Sequence, residues 1–455
     1  MQKILLLIAS LFYFNFILAE NEIKSWQGIH ETPLSRLEQQ FAEPPVEFAN
    51  HVIWGWEGKM DKKTICNDLD SIKKKGFRAV IFEAGYKLPF KYLSEEWFKA
   101  IRTGVVEAKK RDMKVWIIDE GKYPSGFAGG KFSQERPDLR MQALVIGDTI
   151  QIKRGEVMTN HKIAPEIISA VAVSTSGAPN RTVAINNGEI SFNAGLDDWK
   201  ILLVKSDFRT AVTRAVNNPN GGKDATNSLC DYLNPVAVQQ FIDWTHEQYK
   251  KYLGKELGTT VLGFRGDEPD YAHLPWTPSI VQTFKDTKGY DPTPYLASFF
   301  TASPTIQEQR VKADYWDVWS SLFATHFFKL QADWCAANGV AHITHLNKEH
   351  EMPACVKAEG DYFRALSKVQ IPGVDAIWNQ IWPGTLNDFP KLASSVAHVY
   401  GKPRAFSESF AAYHISPTIP QAKFVVDHQI ARGINFFEFM FWPAGSKHRN
   451  WMSDP

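Results

Sequence analysis

Apolar runs and helical stripes alternate along most of this chain. HVIWGW (51–56) reads as a strand, and DKKTICNDLDSIKKKG (61–76) follows with apolar residues at helical spacing and a terminal glycine. The pair recurs as FRAVIFEAG (77–85) and LSEEWFKAIRTGVVEAKKRD (93–112), and MKVWIIDEG (113–121) makes a third strand. The rhythm then breaks. From 140 to 215 apolar and polar residues alternate between turn signals, as in TVAINNGEISFNAG, which predicts a small β-rich insertion. The rhythm resumes with a helix over 234–255, a fourth strand in TTVLGFRGDE and a long helix around 308–338. Four more strands follow: VAHITHLN (340–347), VDAIW (374–378), RAFSES (404–409) and INFFEFMFW (434–442). Segments such as NDFPKLASSVAHVYG and TIPQAKFVVDHQIARG supply the helices between them.

Eight buried strands alternating with helices predict an α/β fold, a (β/α)8 TIM barrel with a small β-rich insertion after strand 3. Near-continuous apolar strands suit a parallel sheet covered on its outside. The competing architecture, an open doubly wound sheet, usually shows a glycine-rich phosphate loop after its first strand, and none is present. The expected layout is a signal peptide at 1–19, the first part of the barrel at 20–139, the insertion at 140–215 and the rest of the barrel at 216–455. Strand eight ends close to Pro455, so an eighth helix is not expected; either the gene product is truncated there or residues 20–49 cover the gap.

MQKILLLIASLFYFNFILAENE has the charged start, apolar stretch and polar exit of a secretory signal peptide, cut after Ala19. A periplasmic or secreted location, with no membrane anchor after cleavage, is therefore expected. Net charge is +1, with no basic stripe, which argues against nucleic-acid partners. Export would permit disulfides, but Cys66 and Cys335 sit in helical patterns and read as small apolar residues.

In such a barrel, chemistry sits at the C-terminal ends of the strands. Acids collect there: Glu57 and Glu83, then Asp119 and Glu120, then Asp267 and Glu268. Further on come Asn347, Lys348, Glu349, His350 and Glu351, then Asp375, Glu408 and Glu438. Carboxylates ending apolar strands are costly unless paired or solvated. Two of them across a cleft are the equipment of a glycosidase, one protonating the leaving oxygen and the other attacking the sugar or activating water. Glu268, Glu408 and Glu351 are the catalytic candidates. Substrate-binding candidates are Asp267, Asp119, Glu120, Glu83, His345, Asn347, His350, Asp375 and Glu438, with Trp54, Trp56, Trp378 and Trp382 as sugar platforms. For Asp119 and Glu120 the competing reading is a pair capping the YPSG turn. His342, His345 and His350 suit hydroxyl binding or packing better than a transition metal. No cofactor is required, and calcium on Asp and Glu oxygens is the cation this composition leaves open.

Glutamates ending strands four and seven resemble the pattern of the large clan of barrel glycosidases, whose strand-four acid is acid/base and whose strand-seven acid is nucleophile. Many members carry Asn before the strand-four acid; here Asp267 stands there. A closer resemblance lies in WIIDEGKYPSGFAGG (116–130), FRGDEPDY, HEMPACVKAEGDYFRAL (350–366) and IPGVDAIW. These are similar to the barrel of the family-106 glycoside hydrolases, α-L-rhamnosidases and their bacterial relatives. That resemblance implies inverting chemistry that can depend on calcium, with Glu268 catalytic and the second carboxylate Glu351 or Glu408. The expected function is glycosidic-bond cleavage in plant or microbial polysaccharides; the alternative is a non-catalytic carbohydrate-binding barrel derived from such an enzyme.

Overall fold

The computed structural model describes residues 33–445, apart from 122, 213–224, 272, 303, 386 and 414–416. The expected signal peptide and residues 446–455 lie outside the described residues.

Eight parallel strands form a closed barrel: β1 (His51–Trp56), β2 (Ala79–Ala84), β3 (Lys114–Ile118), β4 (Val261–Gly266), β5 (Ala341–Thr344), β6 (Ile371–Ala376), β7 (Phe406–Ser409) and β8 (Phe436–Pro443). Each strand pairs with its neighbours in sequence, and β8 closes on β1. Because successive side chains point to opposite faces, every strand divides its residues between two cores. Ile53, Ile81, Trp116, Ile343, Phe406 and Phe436 fill the interior. Val52, Trp54, Trp56, Phe82 and Phe264 face the helices. Two glycines make room for the large interior rings. A Cβ on Gly263 would lie 2.4 Å from the Trp116 ring, and one on Gly373 2.1 Å from Phe406.

The helices start where the chain supplies caps. The Asp61 carboxylate accepts from Thr64 N at 2.9 Å ahead of α1 (Lys62–Lys74). Ser94 caps α2 (Glu95–Lys110), which carries Glu95 and Glu96 in its first turn and Lys109 and Lys110 in its last, as the helix dipole favours. Thr305 and Glu308 form a reciprocal capping box for the helix Ile306–Leu322, which continues through a π turn, Phe323–Phe328, into Lys329–Ala337.

Three expectations change. The single helix over 234–255 is two, Pro235–Trp244 and His246–Leu253. Thr245 Oγ donates to Phe241 O at 2.7 Å, offering the backbone an alternative to continuing. Strand β6 begins three residues early, at Ile371, with Pro372 and Gly373 inside it. The helix Leu34–Ala42 buries none of its residues, so it does not replace an eighth barrel helix.

Between β3 and β4 lie a five-stranded sheet and a three-stranded sheet. The larger contains Gln142–Ile152, Ile167–Ser174, Arg181–Thr182 and Trp199–Phe208, and its edge is Pro275–Trp276, from beyond β4. Ala297 N donates to Ser169 Oγ at 3.1 Å, tying this sheet to the 3-10 segment Thr293–Phe300. The insertion thus packs beside the C-terminal end of β4.

Candidate active site

Strand register brings three acids into one row. Asp375 on β6 lies beside Glu408 on β7, and Glu408 beside Glu438 on β8. Like charges so placed raise one another's pKa. Arg265 from β4 answers them. It sits at an inward position, and its side chain is 1% exposed. Its Nη1 lies 2.6 Å from Asp267 Oδ1 and its Nε 3.3 Å from Glu438 Oε2, while Nη2 donates to Glu408 Oε2. The same Nη2 is 2.8 Å from His345 Nε2.

That contact fixes the imidazole. A guanidinium only donates, so Nε2 accepts. His345 Nδ1 lies 3.0 Å from the Leu346 carbonyl, which only accepts, so the proton is on Nδ1. Burial and Arg265 disfavour a charge on this ring, while Glu349, Glu408 and Asp375 favour one and push its pKa up. The hydrogen-bond geometry decides for the neutral ring.

Glu268 follows directly on Asp267, with a left-handed φ of 37°. Such backbone costs energy and persists where surrounding structure holds it. Burial pushes its pKa up to about 8, with the charges of Asp267 and Glu349 acting in the same direction. Its side chain is hydrogen-bonded to Asp375. Burial and Glu408 raise Asp375 well above the ordinary carboxylate range. Two carboxyls in contact, each disfavoured as an anion, share a proton.

Glu268, Glu408, Asp375, Asp267, Glu83, Asn347, His350 and Trp378 all line one cavity of about 350 Å³ at the C-terminal end of the barrel. Tyr123, Lys348, Glu349 and Gln380 complete much of its wall. Asn347 Nδ2 donates to Tyr123 Oη at 3.1 Å, and Gln380 Nε2 is 3.0 Å from His350 Nδ1. Trp378 is 51% exposed, which leaves a ring face open at the mouth.

Other expected site residues lie elsewhere. Trp54 and Trp56 are fully buried between barrel and helices. They occupy the outward positions of β1, where Trp54 Nε1 donates to Asp68 at 3.2 Å. Neither is a sugar platform. Glu351 does not line the cavity; its side chain is 67% exposed at the start of the helix Met352–Glu359. The loop instead turns Glu349 inward. Glu438 and His345 lie beneath the cavity, on Arg265.

Asp119 and Glu120 hold a loop. Glu120 accepts from the backbone N–H groups of Gly121, Phe127, Ala128 and Gly129 at 2.5–2.9 Å. Ser125 Oγ donates to Asp119 Oδ1 at 2.6 Å and accepts from Asp267 N at 2.7 Å, while Ser125 N donates to Asp267 O at 2.8 Å. Gly121 and residues 123–130 therefore form a brace that fixes the backbone leading to Glu268. Gly126 has φ 112° and faces the Tyr232 ring, 2.5 Å from where a Cβ would stand.

Two groups of ligating atoms come close enough to meet a cation: Asp267, His345 and Glu408, and Glu268, His345 and Asp375. Arg265 already occupies the first. In the second, His345 Nε2 is engaged by Arg265 and the two carboxyls are bonded to each other. Calcium takes roughly six to eight oxygen ligands, and among the described residues neither group offers such a shell.

A carboxyl and carboxylates on the wall of one barrel cavity are what glycosidic cleavage requires. The profile of glycoside hydrolase family 106, described as alpha-L-rhamnosidase, matches residues 158–441, more than half of the chain. The chain belongs to this family. A solved structure, the "Rhamnosidase from Novosphingobium sp. PP1Y", superposes with a TM-score of 0.68 at 15% identity, over 91% of this chain and 56% of that one. A protein of Formosa agariphila named "Putative beta-glucuronidase" is 23% identical over 89% of this chain and 38% of its own length. The chain thus spans well under two thirds of both. Of the two second carboxylates that the resemblance implies, Glu408 lines the cavity and Glu351 does not.

Arg265 was not singled out by sequence. Its signal was present all the same: a lone arginine in an apolar strand, two positions before an acid pair, requires acid partners once buried.

Proposed function

We propose that this protein is an exported glycoside hydrolase that releases an α-L-rhamnose-type sugar by carboxylate general acid/base chemistry. The observation that carries the reading is one small cavity walled by Glu268, whose burial favours the neutral acid, and by Glu408, which pairs with Arg265. Ligand pockets run from about 300 to 1,000 Å³, so this one suits a terminal sugar ring better than a chain threading through.

Glu268 donates its proton to the glycosidic oxygen as the bond to the anomeric carbon breaks. Arg265 engages Glu408 Oε2, leaving Oε1 to take a proton from water, which attacks the opposite face of the ring. As the products leave, Glu408 gives up the proton it took from water and Glu268 regains one from solvent, which resets the pair. Trp378 stacks on the sugar, and Asn347 and His350 meet its hydroxyls. The apolar N-terminus supports export, and among the described residues no helix is long and apolar enough to cross a membrane.

Aryl α-L-rhamnosides test the reading. With wild type, turnover is expected with inversion at the anomeric carbon, read by NMR of the fresh product. Glu268→Gln should lose roughly 10²–10⁴-fold in kcat on substrates with poor leaving groups and far less on a nitrophenyl leaving group, which needs no proton. Equal loss on both would remove Glu268 as proton donor.

A further inference from the structure

Beside the cavity lies a second hollow of about 1040 Å³. It is bounded by the loop after β4, the helices Ile306–Leu322 and Met352–Glu359, and the Thr293–Phe300 segment held by the insertion. Half-buried Phe299, Phe300 and Trp316 give it an aromatic wall. Lys312, Lys348 and Lys357 line it as well. Each is exposed, and among the described residues none of the three forms an ion pair; Lys312 Nζ instead sits 5.7 Å over the Trp316 ring. Among the described residues that line the groove the one carboxylate is Asp270, which is partly buried and accepts from Asn347 Nδ2 at 3.4 Å.

The two hollows are opposite in character and adjoin. The cavity is walled by acids; the groove is aromatic and cationic. Lys348 lines both, in a left-handed conformation with φ 64° at the junction. The segment after β4 also connects them, since Glu268 lines the cavity and Asp270, two residues on, lines the groove. A residue that protonates the leaving oxygen must face the leaving group. On the reading of Glu268 as that acid, the part of the glycan that leaves runs into the groove.

We infer that the groove is a leaving-group subsite for an anionic sugar, a uronate or a sulfated residue, whose ring stacks on the Trp316–Phe299 wall while its charge meets Lys312 and Lys357. Flat apolar faces beside unpaired ammonium groups match a pyranose bearing one negative substituent. The insertion, by positioning the 293–300 segment, would then build specificity rather than catalysis.

The inference rests on the hydrolase reading for its direction, but a binding measurement separates the two. Three probes are titrated by calorimetry into the full chain carrying Glu268→Gln: a rhamnosyl-glucuronic acid disaccharide, its carboxyl-reduced neutral counterpart, and the sulfated form of that neutral disaccharide. At least one anionic probe should bind roughly tenfold tighter than the neutral one, and which of them does so identifies the anion. Adding Lys312→Gln and Lys357→Gln should bring that ratio close to one, as should high salt. Equal affinity for all three probes, no binding of any, or a preference that survives loss of both lysines would overturn the inference. Turnover of an uncharged aryl rhamnoside, whose leaving group needs no lysine, reports separately on Glu268.

Discussion

Arg265 has more depending on it than any other single side chain near the cavity. It meets Asp267, Glu408 and Glu438 together and sets the tautomer of His345. Removing one partner of a buried charge network costs about 3–5 kcal/mol, because the remaining charges are left uncompensated. Arg265→Gln should therefore lower unfolding stability by about that amount in urea titrations, and Arg265→Lys by less. Both should reduce kcat, since Glu408 loses the group that positions its carboxyl. Trp378 makes the contrasting case. Its half-exposed ring touches no reacting atom, so Trp378→Ala should raise KM roughly three- to tenfold with kcat near wild type. A fall in kcat with KM unchanged would show that the ring acts in the transition state instead.

At the scale of elements, the brace formed by Gly121 and residues 123–130 connects fold to site. Glu120 places both oxygens against four backbone N–H groups, a pattern that only an acceptor can satisfy. Glu120→Gln would turn an N–H₂ toward those donors. The expected result is faster amide exchange across 121–130 and a stability loss of about 1–3 kcal/mol, with Glu268 less well placed and kcat reduced. These elements also show what a sequence conveys. Long apolar runs bounded by turn residues announced all eight strands, because a strand covered on both faces must be apolar throughout. Which face each side chain takes was not legible in the same runs. Trp54 and Trp56 sit beside Ile53, and only closure of the barrel decides that Ile53 points in and the tryptophans out. The early start of β6 was hidden for a related reason: Gly373 looks like a break, yet it is a space filled by Phe406 from the next strand. Glu268 and Glu408 could be read, being acids at strand ends. Arg265 could not be ranked without knowing that three carboxylates converge on it.

For the whole molecule, the buried acids dictate how stability follows pH. Burial pushes Asp119 and Asp231 up to about 7, Glu268 up to about 8, and Glu438 up to about 7 against the pull of Arg265. A carboxyl raised on folding binds its proton in the native state at pH values where the unfolded chain has released it. Its contribution is thus full at low pH and is lost as pH rises through the folded value, at up to about 1.4 kcal/mol per group per pH unit. Buried histidines act in the opposite direction. Burial lowers His51 to about 3 and His342 to about 4, so below the ordinary histidine value the unfolded chain gains protons that the native state refuses. Between roughly pH 4.5 and 6.5 the two sets partly cancel. Above that window the histidines are neutral in both states and only the acids still titrate. Because four acids outweigh two histidines, Tm should already fall between about pH 4.5 and 6.5, fall more steeply per unit once the histidines no longer oppose it, and level off near pH 8, where the acids are ionised in both states. Glu268→Gln removes one of the titrating acids and should flatten the upper part of that decline while abolishing acid catalysis. Wild-type activity should also decline above about pH 8, as Glu268 loses its proton. Thermal melts and rates recorded across the same pH series separate the two effects: a melting curve as steep in Glu268→Gln as in wild type would mean that this carboxyl is ionised in the folded protein, and the proposed acid would have no proton to give.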